Sequence, residues 1–280
     1  MRLVFLGTPA AAVPPLRAVL AAGHEVALVV SQPDRRRGRG PALSPSPVKE
    51  AALAAGLPVT DRVDDVLDTG AELGVVVAFG RLIKQHVLDA VPMVNLHFSL
   101  LPRWRGAAPV ERAILAGDAE TGVCLMSLEA GLDTGPVHRC EPVAIDPDES
   151  AAALRDRLVE LGTALLVDEL AGGLSPPRPQ EGEATYAAKI EQDDLLLDWA
   201  RPAEELERVV RVGGAWTTAG GRRLKVHRAC AHRVTGDGVS VPTATGPLEL
   251  LEVQPEGRPR MAAADWARGA GVASGRPLAP

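Results

Sequence analysis

Aromatic side chains are scarce in this chain: three Phe, four Trp and one Tyr among 280 residues. A core with so few rings has to be packed with aliphatic side chains, and its aromatics are needed there before any can be spared for stacking on a ligand. Cysteine is rarer still. Cys124, Cys140 and Cys230 have no C-x-x-C spacing and no histidine cluster beside them, so neither a disulfide framework nor a zinc site is expected, and a reducing cytosol is the natural compartment. No apolar run reaches membrane-spanning length. The opening Met1 to Leu6 is cut by Gly7, Thr8 and Pro9 and lacks the flanks of a signal segment, so it reads as a first β-strand. The turn after it has no G-x-G-x-x-G, and no P-loop occurs, which argues against a nucleotide-binding oxidoreductase. A net charge of −6 excludes a protein that is basic all over, although nucleic-acid binding needs only a local basic face.

What is present is 46% hydrophobic residues, enough for one large domain or two unequal ones. Up to about residue 175, β-branched apolar runs alternate with helix-patterned segments, the mark of a parallel sheet with crossover helices. Strands are expected over 3–6, 25–30, 73–79, 94–98 and 123–128, with 137–145 as a late strand or hairpin arm. Helices are expected over 14–22, 47–55, 84–90 and 109–116, several with proline near the start, and a long amphipathic helix over 150–172. Ser175-Pro-Pro-Arg-Pro-Gln-Glu-Gly182 breaks all periodicity, as a linker does. A helix near 203–212 and strands near 224–229, 239–241 and 248–253 then make a small β domain. The domains are therefore expected as a catalytic domain over 1–178, a linker over 179–203 and a β domain over 204–280.

In open α/β sheets the reactive groups gather at the carboxyl ends of strands. In Met93-Val-Asn-Leu-His-Phe98, Asn95 and His97 lie two apart and share one face of a strand. Taken alone, such a pair is more readily explained by hydrogen bonding within a strand end. Gly131-Leu-Asp-Thr-Gly135 sets a carboxylate between two glycines, which also suits an ordinary turn. If the strand ending near Leu128 neighbours the one bearing His97, Asp133 arrives beside the imidazole and can orient it. An Asn–His–Asp set suits acyl transfer without a covalent intermediate, with amide and imidazole N–H groups facing the developing oxyanion and the histidine handling the proton.

The segment Asn95-Leu-His-Phe-Ser-Leu-Leu-Pro-Arg-Trp-Arg-Gly-Ala-Ala-Pro109, with Gly117-Asp-Ala-Glu-Thr-Gly-Val123 and Gly131-Leu-Asp-Thr-Gly135, resembles the 10-formyltetrahydrofolate-dependent formyltransferase family. The Asn-x-His, Ser-Leu-Leu-Pro and distal Asp elements are shared with its glycinamide-ribonucleotide and amino-sugar branches. Arg103-Trp-Arg-Gly-Ala-Ala-Pro109 and Gly117 to Val123 resemble the branch acting on methionyl-tRNA, as do Phe5-Leu-Gly-Thr-Pro9, Gln32-Pro-Asp-Arg35 and Thr185-Tyr-Ala-Ala-Lys-Ile190. The resemblance implies an α/β, Rossmann-like catalytic domain with a parallel-rich sheet, followed by a small OB-like β-barrel domain. It implies Asn95, His97 and Asp133 as the catalytic three, Ser99, Leu100, Leu101 and Pro102 as a tetrahydrofolate site, and Ala78 to Ile83 as loop contacts to the pteridine. It also implies 10-formyltetrahydrofolate as cosubstrate with no metal, and methionyl initiator tRNA as acceptor in a cytoplasmic protein, with no membrane or obligate protein partner. Whether His97 abstracts the amine proton or donates to the oxyanion stays open. An amino-sugar N-formyltransferase and a non-catalytic tRNA-binding protein are the alternatives.

Arg35, Arg36, Arg37, Arg39 and Lys49 put five positive charges between residues 35 and 49 with no acid among them. This is either a solvated run or a mobile basic loop for nucleic acid. The resemblance places the equivalent loop against the acceptor stem, with Arg39 the position of most weight. Residues 201–280 hold twelve basic and eight acidic residues, and none of the acids falls between Arg208 and Gly236. The small domain is thus the basic one, and Arg222, Arg223 and Lys225 are its candidates for holding a tRNA backbone without reading bases. Trp199, Trp216 and Trp266 are expected to pack rather than to stack on bases.

Overall fold

The computed structural model describes residues 1–36, 43–232 and 236–278. Two compact units divide them. The first comprises Met1–Pro109, Glu120–Ala144 and Arg155–Ala187, the second Val110–Ala119, Ile145–Leu154 and the chain from Ala188 on.

In chain order the first stretch runs β1 (Arg2–Gly7), α1 (Val13–Ala21), β2 (Glu25–Val30), β3 (Arg35–Arg36), β4 (Leu43–Ser44), α2 (Pro47–Ala54), β5 (Val59–Thr60), β6 (Leu73–Val77), α3 (Gln85–Ala90) and β7 (Met93–His97). There follow β8 (Arg105–Gly106), α4 (Pro109–Ala116), β9 (Glu120–Ser127), β10 (Val137–Ala144), α5 (Ala151–Gly172) and β11 (Tyr186–Ala187). Seven of these strands form one sheet in the order β10-β9-β7-β6-β1-β2-β5. β5, β2, β1, β6 and β7 run parallel, and β9 and β10 are antiparallel additions at one edge. Strands covered on both faces need unbroken apolar runs, and every residue of β6 and of β7 is buried. Asn95 and His97 are the polar exceptions within β7. Helix α2 starts as the sequence indicates: Pro47 occupies the first turn and Ser46 caps it, its Oγ accepting from the Lys49 N–H at 3.0 Å.

In the second unit α6 (Ala203–Val212) precedes β12 (Trp216–Ala219), β13 (Arg222–Cys230), β14 (Val239–Pro242), β15 (Pro247–Pro255), β16 (Met261–Ala262) and α7 (Ala263–Ala270). The strands form a five-stranded antiparallel sheet, β12-β13-β15-β14 with β16 beside β15, the strand number that an OB-like domain requires. Leu206, Val209 and Val210 of α6 and Trp266 of α7 pack with Leu224, Val226, Leu250 and Val253 in its core. Trp199 packs against the same core and donates from Nε1 to Thr217 Oγ1 at 3.1 Å. Trp216 lies under the Arg223 guanidinium, 4.2 Å from ring centre to Cζ.

One expectation needs correction. Cys124 and Cys140 are joined as a disulfide. Their spacing follows no motif, but the β9–β10 register sets them directly opposite, with Cα atoms 4.1 Å apart. Among the described residues, no helix is long and apolar enough to cross a membrane.

Candidate active site

A cavity of about 590 Å³ opens where β6 and β7 end, within the size range of small-molecule sites. Asn95 and His97 enter it from β7, the loop 78–83 after β6 forms one wall, and residues 128–133 form another. Most of its lining is apolar, including Val76, Phe79, Leu96, Phe98 and Leu128. Among the described residues, no serine, threonine, cysteine or lysine lines it.

β9 does neighbour β7, with Asn95 opposite Met126 and His97 opposite Cys124. It runs antiparallel, however, so its carboxyl end lies beside the start of β7, where the Leu128 N–H donates to the Met93 carbonyl. The following loop must therefore return before it can bring Asp133 to His97. Its geometry is demanding. Asp133 sits at φ +49°, a left-handed conformation that Asp tolerates better than most residues. Gly135 passes so close to β9 that a Cβ there would collide with the Ser127 carbonyl oxygen.

Asp133 Oδ2 stands 3.6 Å from His97 Nδ1, with both side chains nearly buried. The same oxygen accepts from the Gly106 N–H at 2.8 Å, a charge-assisted bond that fixes the carboxylate. On the other side of the ring, His97 Nε2 lies 2.9 Å from the Trp104 carbonyl oxygen. A carbonyl can only accept, so Nε2 carries the hydrogen and Nδ1 is the nitrogen that faces Asp133. Trp104 is itself left-handed, at φ +63°.

Ser99, Leu100, Leu101 and Pro102 are not among the cavity's lining residues. Ser99 is fully buried and donates from Oγ to the Arg103 carbonyl at 2.6 Å; Leu100 packs against Gly122. They build the turn that carries Trp104 and Gly106 to the site. The wall residues 78–83 are where the sequence puts pteridine contacts, whereas residues 128–132 carried no such signal, because a Leu-Glu-Ala-Gly-Leu stretch reads as an ordinary loop.

A second cavity, of about 630 Å³, shares Gly80, Arg81 and Leu82 with the first and is also lined by Gln32, Arg35, Asp61, Arg62, Asp64 and Lys84. Arg35 thus reaches a sheet-end cavity, and Arg36 is exposed on the β3–β4 ribbon. Arg37 and Arg39 fall outside the described residues. Lys49 is committed elsewhere, paired with Asp34 at 2.8 Å. In the second unit Arg222 and Lys225 are exposed on β13. Arg208 and Arg211 instead hold backbone carbonyls, Arg208 that of Leu115 and Arg211 those of Glu149 and Asp146. Burial holds the Arg211 guanidinium below its ordinary pKa.

Two family models match the sequence: formyl transferase over residues 1–170 and formyl transferase C-terminal domain over residues 189–271. A methionyl-tRNA formyltransferase of Roseobacter denitrificans is 46% identical over 299 aligned residues, covering 98% of each chain. Among solved structures, an N-formyltransferase of Helicobacter canadensis, in complex with folinic acid and dTDP-3-aminofucose, has a TM-score of 0.70 at 16% identity, over 90% of this chain and 98% of that one. A methionyl-tRNA formyltransferase from Clostridium thermocellum has a TM-score of 0.61 at 15% identity, over 91% and 98%. At such identities the two structures bear on the fold alone, and a nucleotide-sugar enzyme and a tRNA enzyme share it equally.

Proposed function

Since the chain belongs to the formyl transferase family in both its N-terminal and C-terminal parts, we propose that it moves the formyl group of 10-formyltetrahydrofolate onto the α-amino group of methionyl initiator tRNA. The acceptor is favoured by near-half identity, across essentially the whole length, to a relative named for that reaction, and by the basic balance of residues 201–280. A nucleotide-linked amino sugar, with a single diphosphate, calls for far fewer cations than a tRNA backbone.

The chemistry rests on one observation: His97, Asp133 and Asn95 converge in a cavity whose lining, among the described residues, holds no serine, threonine, cysteine or lysine. Direct transfer fits. The amine nitrogen bonds to the formyl carbon, the bond from that carbon to N10 of the folate breaks, and the amine's proton leaves as N10 gains one. Asn95 donates its amide N–H to the oxygen on which negative charge grows. His97 exchanges the proton through Nδ1, and Asp133 holds the imidazole and stabilises its cation. The apolar wall formed by residues 78–83 and 128–132 suits the flat ring system of the folate. Arg35 and Arg36, with Arg37 and Arg39, approach acceptor-stem phosphates, while Arg222, Arg223 and Lys225 neutralise phosphates elsewhere on the tRNA. The reading is of a cytoplasmic protein.

The test is a product assay with both acceptors. Purified protein, 10-formyltetrahydrofolate and methionyl initiator tRNA should give formylmethionyl-tRNA, and dTDP-3-aminofucose should stay unformylated. Formylation of the sugar in place of the tRNA would reverse the assignment of acceptor.

A further inference from the structure

The stretch from the Pro-rich segment to Ala187 carries no periodicity, yet two of its side chains hold the backbone that brings Asp133 and the Trp104 carbonyl to His97. Gln180 donates from Nε2 to the Asp133 carbonyl and to the Gly135 carbonyl, each at 2.8 Å. Its Oε1 accepts from Arg105 Nε and Nη2 at 3.0 and 2.7 Å. The amide is thereby used in full, and it ties the left-handed backbone at Asp133 to the residue before Gly106, whose N–H holds the Asp133 carboxylate.

Five residues on, Thr185 Oγ1 accepts from the Trp104 N–H at 2.9 Å. The Trp104 carbonyl is the acceptor for His97 Nε2. The Arg105 N–H donates to the Thr185 carbonyl, and Tyr186–Ala187 pairs in parallel with Arg105–Gly106. Gly106, at φ +125°, admits no Cβ against the Ala187 carbonyl.

We infer that residues 180–187 act as a positioning strap, with Gln180 setting the aim of Asp133 and Thr185 setting the carbonyl that fixes the orientation and tautomer of His97. The inference rests on the His97–Asp133 reading of the active site. Neither Gln180 nor Thr185 lines the cavity, so both act through the pair and not on substrate. Hydrogen-bond partners that orient a reacting group commonly alter activity 10- to 100-fold when removed.

The experiment measures kcat, both KM values and melting temperature for Gln180→Ala, Gln180→Glu, Thr185→Val and Thr185→Ser, and adds the pair Gln180→Ala with Asp133→Asn. Gln180→Glu keeps an acceptor for Arg105 but turns a carboxylate toward two carbonyls, so it should lose activity at least as much as the alanine variant. Both should cut kcat by roughly 10- to 100-fold, leave both KM values within about threefold and displace the histidine limb of the pH–rate profile. Thr185→Val should lower kcat, and Thr185→Ser should restore it. On an Asp133→Asn background, Gln180→Ala should cost less than about twofold more, since the partner it orients is already lost. Wild-type kcat in both Gln180 variants would overturn the proposal, as would a full additional loss in the double variant. Gln180 variants that fail to fold, beside a Thr185→Val that keeps wild-type kinetics, would reduce the segment to a structural tie. If Asp133→Asn alone retained turnover, the reading of the active site would fail instead.

Discussion

Asn95 shares with His97 the cavity face of β7 and is almost fully buried, the placement that the oxyanion role proposed for it requires. Asn95→Ala should raise the transition-state barrier by about 2–4 kcal/mol, the usual cost of losing one oxyanion donor, and leave folate affinity nearly unchanged. Asn95→Asp should be worse, because it sets a negative charge against a developing one. Single-turnover rates beside a folate binding isotherm check this: weaker binding with an unchanged rate would make Asn95 a positioning residue. Asn95, His97 and Asp133 stood out in the sequence as an amide and an imidazole inside an otherwise apolar strand and a carboxylate between glycines, but taken alone each also suited a bland reading, and it was the family resemblance that joined them as candidates. The Trp104 carbonyl and the Gly106 N–H were not legible there, since every residue has such atoms and only the fold aims them. The roles of Gln180 and Thr185 were hidden for a related reason, even though Thr185 opens a segment that carries the family resemblance: a side chain that orients a distant loop leaves no local pattern.

Elements with long apolar runs were read closely, and β2 and α4 coincide with their expected bounds. The direction of β9 was not readable, because an apolar run has the same pattern whichever way it pairs, and that direction decides the route by which Asp133 reaches His97. Two-residue strands such as β8 and β11 lie below any periodicity, and the alanine-rich start of α7 masks its apolar stripe. Helix α6 carries a testable charge. Burial pushes the Glu207 carboxyl above its ordinary value of 4.5, against the Ala231 N–H and His232, which pull it down. A raised carboxyl favours the folded state when protonated; its contribution is present below 4.5 and lost as pH rises through its folded pKa. Relative to the wild type, Glu207→Gln should therefore gain stability between acid and neutral pH, and a difference in melting temperature that is flat with pH would contradict this. For the basic run of residues 35–39, replacing Arg36, Arg37 and Arg39 by alanine should raise KM for tRNA. Each lost phosphate contact should flatten the log affinity against log salt slope by about 0.9 for duplex or about 0.7 for single-stranded contacts, with folate binding unchanged. Unaltered tRNA kinetics across a salt series would leave the run a solvated surface.

At the scale of the whole molecule, charge and chemistry divide along the sequence. The groups proposed to react belong to the acidic first 200 residues, and the twelve basic residues after them include the exposed Arg222 and Lys225 on β13. Neutralising Arg222, Arg223 and Lys225 together should weaken tRNA binding in a salt-dependent way and leave folate affinity unaltered, which is readable as a KM change for one substrate only. Composition gave that division without any structure. It could not say that Arg208 and Arg211 are spent on backbone carbonyls rather than offered to a ligand, because burial is a property of the folded chain. The central claim is that formyl transfer runs through His97 and Asp133. Single-turnover formylation of methionyl initiator tRNA by the wild type, His97→Ala and Asp133→Asn, with folate binding measured in parallel, tests it most directly. Each substitution should slow transfer by roughly 100-fold or more at unchanged folate affinity, and a near-wild-type rate in either variant would contradict the account.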